Sequence, residues 1–446
     1  PAEDGPPAGV SMRYTRGVDR ENGLTVGATD MSPAQMVFRS LQVGPTTRRG
    51  LFLPGGTRVR IPVQIPAGAR LEFLPQLLPP EAADPLEHSD GVDLQVSIEV
   101  DGQPRLTYRT SLALGDAVPV ALDLSALAGT SAVIEFLSEP GATPDLDHVF
   151  VAEPRVSQRI DDPPRVVVLL VDTLRADELS LYGYHRPTTP NLDAWSAEAA
   201  VFTQARSVAP WTLPSVRALL TGQDPELWSQ ATTLAERFGS AGWATGFIAG
   251  NVYLSSNFDM ADGWGTHHCV NWPDAADQVD LARVWLDEHS HEPAFLVLHF
   301  MDTHLPYTEP ESWRDRFAGP RPSRFDQDEF HRNDVVSGAP LTADEQAYVR
   351  ARYDNNLAWV DHQVARVLEV LGDNDVVVLV SDHGEEFWDH GEFEHGHSLY
   401  DELIRVPLVV RAPGLPPGRT DVPVSLVDLA PTLLHAAGLP ADGLAG

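Results

Sequence analysis

Hydrophobic and polar positions divide the 446-residue chain into two stretches with different periods. Through residues 1–160, short runs alternate apolar with polar: residues 58–63 (RVRIPV), Val92–Val100 (VDLQVSIEV), residues 105–110 (RLTYRT) and residues 132–137 (AVIEFL). Gly, Pro and Asp punctuate them, as in LPGGT and SEPGATPD. A period of two predicts half-buried strands, and short strands at regular spacing predict a β-sandwich. No catalytic cluster stands out there, so binding or packing is expected of this accessory domain.

Residues 159–165 (RIDDPPR) read as a linker, and the pattern then changes. Residues 166–171 are a continuous apolar run, as in a strand covered on both faces. Residues 243–249, 294–301 and 376–380 read as further strands. Thr189 and Pro190 predict a helix start, with Leu192, Trp195 and Ala199 on one face. A longer helix is expected from a capping box of Thr342 and Glu345, along Val349, Tyr353, Leu357, Val360, Val364, Val367 and Leu371, to a stop at Gly372. Alternating buried strands and amphipathic helices predict an α/β domain with a mostly parallel sheet over residues 161–446.

Composition narrows the function. Thirty-one basic against 64 acidic residues give a net charge of −33, which disfavours nucleic acid and anionic membrane surfaces as partners. All 31 basic residues are arginine, so no lysine can serve as a phosphate-loop, Schiff-base or general-base group. The single cysteine, Cys269, cannot form an internal disulfide and reads as a buried small hydrophobe. No apolar run reaches the roughly 20 residues that span a bilayer.

Three apolar strands end on an acid: Asp172, Asp302 and Asp382. Ligands of open parallel sheets bind beyond the carboxyl ends of the strands, so these carboxylates are expected on one rim. His383 follows Asp382, His304 lies two residues past Asp302, and His390, His395 and His397 crowd into WDHGEFEHGHSLYDE. Carboxylate and imidazole ligands without thiolate suit Zn²⁺ or Mn²⁺ in preference to Ca²⁺. His299, inside a strand, reads as an ordinary satisfied polar residue. Thr212, in APWTLPSVRALLTG, is expected just ahead of a helix, where free N–H groups and the positive dipole end favour an anion.

At these residues the chain resembles the sulfatase-like branch of the alkaline phosphatase superfamily. The matching stretches include VDTLRADELSLYGYHRPTTPNLDAWSAEAAVF, TLPSVRALLTG, LHFMDTHLPY, YDNNLAWVDHQVARVL and VVVLVSDHGEEFWDHGEFEHGHSLYDELIRVPLVV. They run in family order from about residue 165 to the end. The resemblance implies an alkaline-phosphatase-like sandwich, metal ligands at Asp172, Asp382 and His383, and a nucleophile at Thr212, itself a fourth ligand. It implies that His304 and one of His395 or His397 contact the transferred group or a second ion. Asp302 and Arg217 are further candidates for that second set.

The departures redirect the chemistry. Sulfatases convert a Cys or Ser in C/S-x-P-x-R to formylglycine; here the position is Thr212, which cannot become that aldehyde, and the motif arginine is Val216, with Arg217 one place later. The family lysine of HGxxxKG is His395. TLPSVRALLTG instead resembles the threonine motif of nucleotide pyrophosphatase/phosphodiesterases. The expectation is a hydrolase, or transferase, of phosphodiesters or phosphonate monoesters through a phosphothreonine, using one or two divalent ions. Small-molecule, glycan-linked or lipid-linked esters are the expected substrates. The rivals are a sulfuric ester hydrolase and a glycan-binding protein with a degenerate catalytic domain. The resemblance implies a periplasmic, extracellular or membrane-facing (secreted) location.

Overall fold

The four period-two segments of the first stretch all fall in one antiparallel sheet, and a second sheet is built from strands the alternation does not single out. The computed structural model describes residues 11–14, 38–43, 46–78, 89, 91–115, 117–142, 147–325 and 331–445. Two units separate, Pro1–Asp161 and Asp162–Gly446. In the first, one sheet has the order Ser11–Tyr14, Thr57–Gln64, Ser131–Pro140, Val92–Val100, Gln103–Leu112. The other runs Phe38–Val43, Thr46–Pro54, His148–Gln158, Ala69–Leu77, Val120–Asp123. Leu51, Leu53, Leu71 and Phe73 of one sheet pack with Leu94, Val96, Ile98, Ile134 and Phe136 of the other, the sandwich core that the alternation predicts.

The second unit is built on strands β1 (Arg165–Val171), β2 (Ala200–Arg206), β3 (Ala244–Ala249), β4 (Thr266–Cys269), β5 (Ala294–Phe300), β6 (Val376–Ser381), β7 (Arg405–Arg411) and β8 (Gly418–Thr420). Their order is β8-β2-β7-β6-β1-β5-β3-β4. Strands β4, β3, β5, β1 and β6 are parallel; β7 runs against its neighbours β6 and β2. Alternate residues of β1 enter opposite cores. Val167, Leu169 and Val171 meet Val279, Trp285, Val349, Leu357 and Val364; Val166, Val168 and Leu170 join a core with Leu219, Phe238, Leu429 and Leu433. Burial on both faces is why these strands read as unbroken apolar runs.

Helix α1 spans Thr212–Thr221, α2 Ala275–Glu288 and α3 Ala343–Leu368. The α3 capping box forms as expected: Glu345 N–H donates to Thr342 Oγ1 (3.3 Å) and Thr342 N–H to Glu345 Oε2 (2.8 Å). Two helix starts differ from expectation. Thr212 is the first residue of α1 rather than the one before it, because extended Trp211 occupies the capping position. The helix Pro190–Trp195 is not capped by the Thr189 side chain, which turns to Ser180 and Asp193. Its free N–H groups at Asn191 and Leu192 donate to Asp361 of α3 instead (3.1 and 2.9 Å). A tertiary carboxylate has replaced the local cap.

Candidate active site

Five loops leave the carboxyl ends of the parallel strands, and three of them meet at Thr212. Asp172 follows β1, Asp382 and His383 follow β6, and Asn251 follows β3; all are buried. Thr212 Oγ1 lies 3.4 Å from both Asp172 Oδ2 and His383 Nε2. His383 Nε2 is 3.3 Å from Asp172 Oδ1 and 3.4 Å from Asp382 Oδ2. Asn251 Nδ2 donates to Asp172 Oδ2 (2.9 Å) and to Thr212 Oγ1 (3.2 Å).

The backbone around this set is tightly determined. Thr173, a β-branched residue, sits at φ 55°. Its hydroxyl donates to Thr303 O (2.8 Å), while Thr303 Oγ1 donates to Asp172 O (2.5 Å), so the β1 and β5 ends lock one another. Left-handed backbone at such a residue persists only when its surroundings over-determine it. After β6, Gly384 is required by space: a Cβ there would lie 1.9 Å from Glu402 O. Ser215 of α1 donates to Asp382 O (2.6 Å), which ties the Thr212 helix to the β6 loop.

The electrostatics ask for a cation. Burial would raise the Asp172 carboxyl, but hydrogen bonds from His299 and His383 hold it well below the usual range. Asp382 moves the opposite way, raised by burial and by the Asp172 charge. Burial alone would lower His383; Asp382 and Asp172 override it and hold the ring protonated upward of its ordinary value. Asp172 Oδ1 and Asp382 Oδ2 are buried with no well-aligned donor, His383 Nε2 standing 3.3 and 3.4 Å away. Two buried carboxylates, one imidazole and one hydroxyl, converging on a common point with unmatched oxygens, fit a Zn²⁺- or Mn²⁺-type ion. A cation bound there would supply the positive charge that the two carboxylates otherwise draw from a protonated His383.

Of the expected second set, His304 and His395 come to the site. Their rings are 4.8 Å apart, and His395 is 4.4 Å from His383. Burial, then the His383 charge, pushes His395 down to about 3, so it is a neutral base or ligand. The structure does not bring the others. Asp302 accepts from Ala275 N–H (3.3 Å) at the start of α2. His397 pairs with Glu386 (2.8 Å) and His390 with Glu402 (2.5 Å). Arg217 donates to Phe258 O (2.9 Å) and covers the Trp228 ring. Cys269 is half-buried rather than buried, its thiol on Asn251 O.

Three groups were missed. His299, expected to be ordinary, points Nε2 at Asp172 Oδ2 (3.3 Å) and with Asp172 and Asp382 forms a possible ligand set. Its signal was a lone imidazole one residue from the end of a strand buried on both faces. Asn251 carried a weaker signal, a polar residue just past β3. Glu385 is fully buried, accepts from or donates to His395 Nδ1 (2.9 Å), and burial pushes it up to about 7.

Comparison with known proteins gives the family. The Sulfatase family matches residues 164–439. An uncharacterized sulfatase, YidJ, of Escherichia coli is 24% identical over 62% of this chain and 68% of its own. An arylsulfatase of Clostridium perfringens is 26% identical over 61% and 75%. The E. coli phosphoethanolamine transferase EptC is 26% identical over 51% of this chain and 40% of its own. The solved C-terminal periplasmic domain of EptC from E. coli, a complex with Zn, superposes with a TM-score of 0.51 at 23% identity, covering 64% of this chain and 84% of that one. The chain belongs to the sulfatase family and is an enzyme of the alkaline phosphatase superfamily of phosphoric and sulfuric ester hydrolases.

Proposed function

We propose that the chain cleaves or transfers phosphodiesters or phosphonate monoesters through Thr212, with one divalent cation held by Asp172, Thr212, Asp382 and His383. The observation that carries this reading is a threonine hydroxyl 3.4 Å from both Asp172 and His383 at the first residue of α1, where formylglycine-dependent relatives need Cys or Ser. Bound there, Zn²⁺ or Mn²⁺ supplies Lewis acidity and a lowered hydroxyl pKa.

The residues do the rest. Asn251 Nδ2 fixes the Thr212 oxygen and leaves its lone pair to face the substrate. Thr212 gives up its hydroxyl proton to solvent, Oγ1 attacks phosphorus, the bond to the leaving oxygen breaks, and the leaving alkoxide takes a proton from solvent. The free N–H groups of the first α1 turn face the non-bridging oxygens. Neutral His395, beside His383 and His304, would take the proton of water or an acceptor alcohol; that oxygen attacks phosphorus, the phosphorus–Oγ1 bond breaks, and Thr212 takes a proton back.

The small supply of free positive charge fits a singly charged ester better than a phosphate monoester dianion, and Thr212 in place of Cys or Ser is what favours phosphorus over sulfate. No lysine exists in the chain. Arg217 is turned to Phe258, and Arg175 is spent on Asp177, Asp389 and Glu385 O. A singly charged diester needs less positive charge than a dianion. The EptC relatives support transfer as well as hydrolysis, and the periplasmic domain of EptC as a neighbour supports a periplasmic or membrane-facing location. No helix among the described residues is long and apolar enough to cross a membrane.

The test is a rate panel on Zn²⁺- and Mn²⁺-loaded protein with bis-p-nitrophenyl phosphate, p-nitrophenyl phosphate, a phenylphosphonate ester and p-nitrophenyl sulfate. Diester or phosphonate turnover should dominate, and Thr212→Ala should reduce it by at least about a thousandfold. Dominant sulfate turnover, or a Thr212→Ala variant near wild-type rate, removes the reading.

A further inference from the structure

Large aromatic side chains around the Thr212 site are left partly in solvent. Trp211, next to the nucleophile, is 38% exposed; Tyr253, two residues past Asn251, is 41%; Trp272 is 44%. Exposed tryptophan beside buried polar chemistry is unusual enough to need a cause, because a patch of this kind marks a ligand or partner surface.

These rings form one arc. Trp211 meets Tyr253 edge to face at 5.6 Å. The Tyr253 loop and the Trp272 loop are joined by Val252 N–H to Asn271 Oδ1 (3.1 Å) and Trp272 N–H to Gly250 O (3.0 Å). Trp272 meets His304 edge to face at 5.0 Å. His304, His395 and His383 then lead back to Thr212. Trp272 itself is held at φ 59°, an uncommon backbone for so large a side chain. Strain of this kind is retained where a side chain must be presented in one place.

We propose that Trp211, Tyr253 and Trp272 form a subsite for the non-reacting ester group, and that this group is an apolar ring such as an aryl. This rests on the diester reading, since only a diester or phosphonate monoester carries a second organic group at phosphorus. The metal-side groups hold the phosphoryl oxygens. The aromatic arc is then the remaining wall of the pocket, and its apolar faces recognise a flat ring by stacking.

The test compares p-nitrophenyl phenylphosphonate with p-nitrophenyl methylphosphonate, which share a leaving group and differ only in the second group. The ratio of their kcat/KM values should fall about tenfold in Trp272→Ala, mainly through KM for the phenyl ester, with the methyl ester nearly unchanged. Tyr253→Ala, on the other loop, should move the ratio the same way, so the inference does not hang on one variant folding. A ratio unchanged in folded variants overturns the subsite while leaving the diester chemistry standing. Turnover of neither phosphonate nor bis-p-nitrophenyl phosphate by the wild type removes the diester reading and the subsite with it.

Discussion

Asp172 and Asp302 each end an apolar strand, yet they do opposite things. The β1 end turns Asp172 toward His383 and Thr212, while the β5 end turns Asp302 to the first N–H of α2. Sequence placed both acids on the carboxyl rim but not their direction, which depends on what each loop packs against. Asp382 and His383 were legible for a stronger reason: a dense His and acid cluster in a loop after a buried run has few structural uses. His299 was hidden because one imidazole in a strand carries no sign of its partner. Asp302 also carries a pH signature. Burial, then the nearby Asp274 charge, pushes it up to about 7. Between its ordinary value near 3.8 and about 7 the folded chain keeps this proton and the unfolded chain has lost it, so the contribution to stability falls as pH rises. Asp302→Asn keeps an oxygen for Ala275 N–H and removes the titration. Its unfolding free energy should therefore gain on wild type from pH 4 to pH 8, about the window above, as read by denaturant melts. The same variant should keep full metal content; loss of bound metal would return Asp302 to a second ion site.

At the scale of elements, the site is a set of strand-end loops fastened by close backbone contact, and two substitutions separate fastening from mere helix stability. Gly384 lies where the β6 loop presses on Glu402 O, and an added Cβ would sit 1.9 Å from that oxygen. Neither partner is a flexible side chain end, so Gly384→Ala must move backbone that also carries Asp382 and His383. A loss of about 1–3 kcal/mol or more is expected, with weaker metal binding alongside it. Thr342→Ala breaks the α3 capping box far from Thr212 and should cost about 1 kcal/mol with no change in metal affinity. Thermal melts with a zinc titration distinguish the two. The capping box was readable from four consecutive residues, because every partner is local. The Asp361 cap on the helix Pro190–Trp195 was not, since its donor and acceptor lie 170 positions apart.

The whole molecule is an acidic body built around an acidic site. Fold class was legible at this scale because burial on both sheet faces and on one sheet face leave different periods in the chain, and those periods survive any detail of packing. The charge, −33 with no lysine, has a separate consequence. Most of those acids lie outside the buried site, so they repel one another through solvent, and the folded state bears more of that repulsion than an expanded chain. Salt should relieve it: raising KCl from about 0.01 M to about 1 M shortens the screening length from about 30 Å to about 3 Å and should raise the thermal midpoint. The buried cluster is screened far less, so metal affinity at Asp172, Asp382 and His383 should change little across the same range. The two readings together locate the charge. A midpoint that rises while zinc affinity holds places the repulsion on the surface and the cation's counter-charge inside. A zinc affinity that falls steeply with salt would mean that the outer acids, rather than the buried carboxylates, draw the ion in.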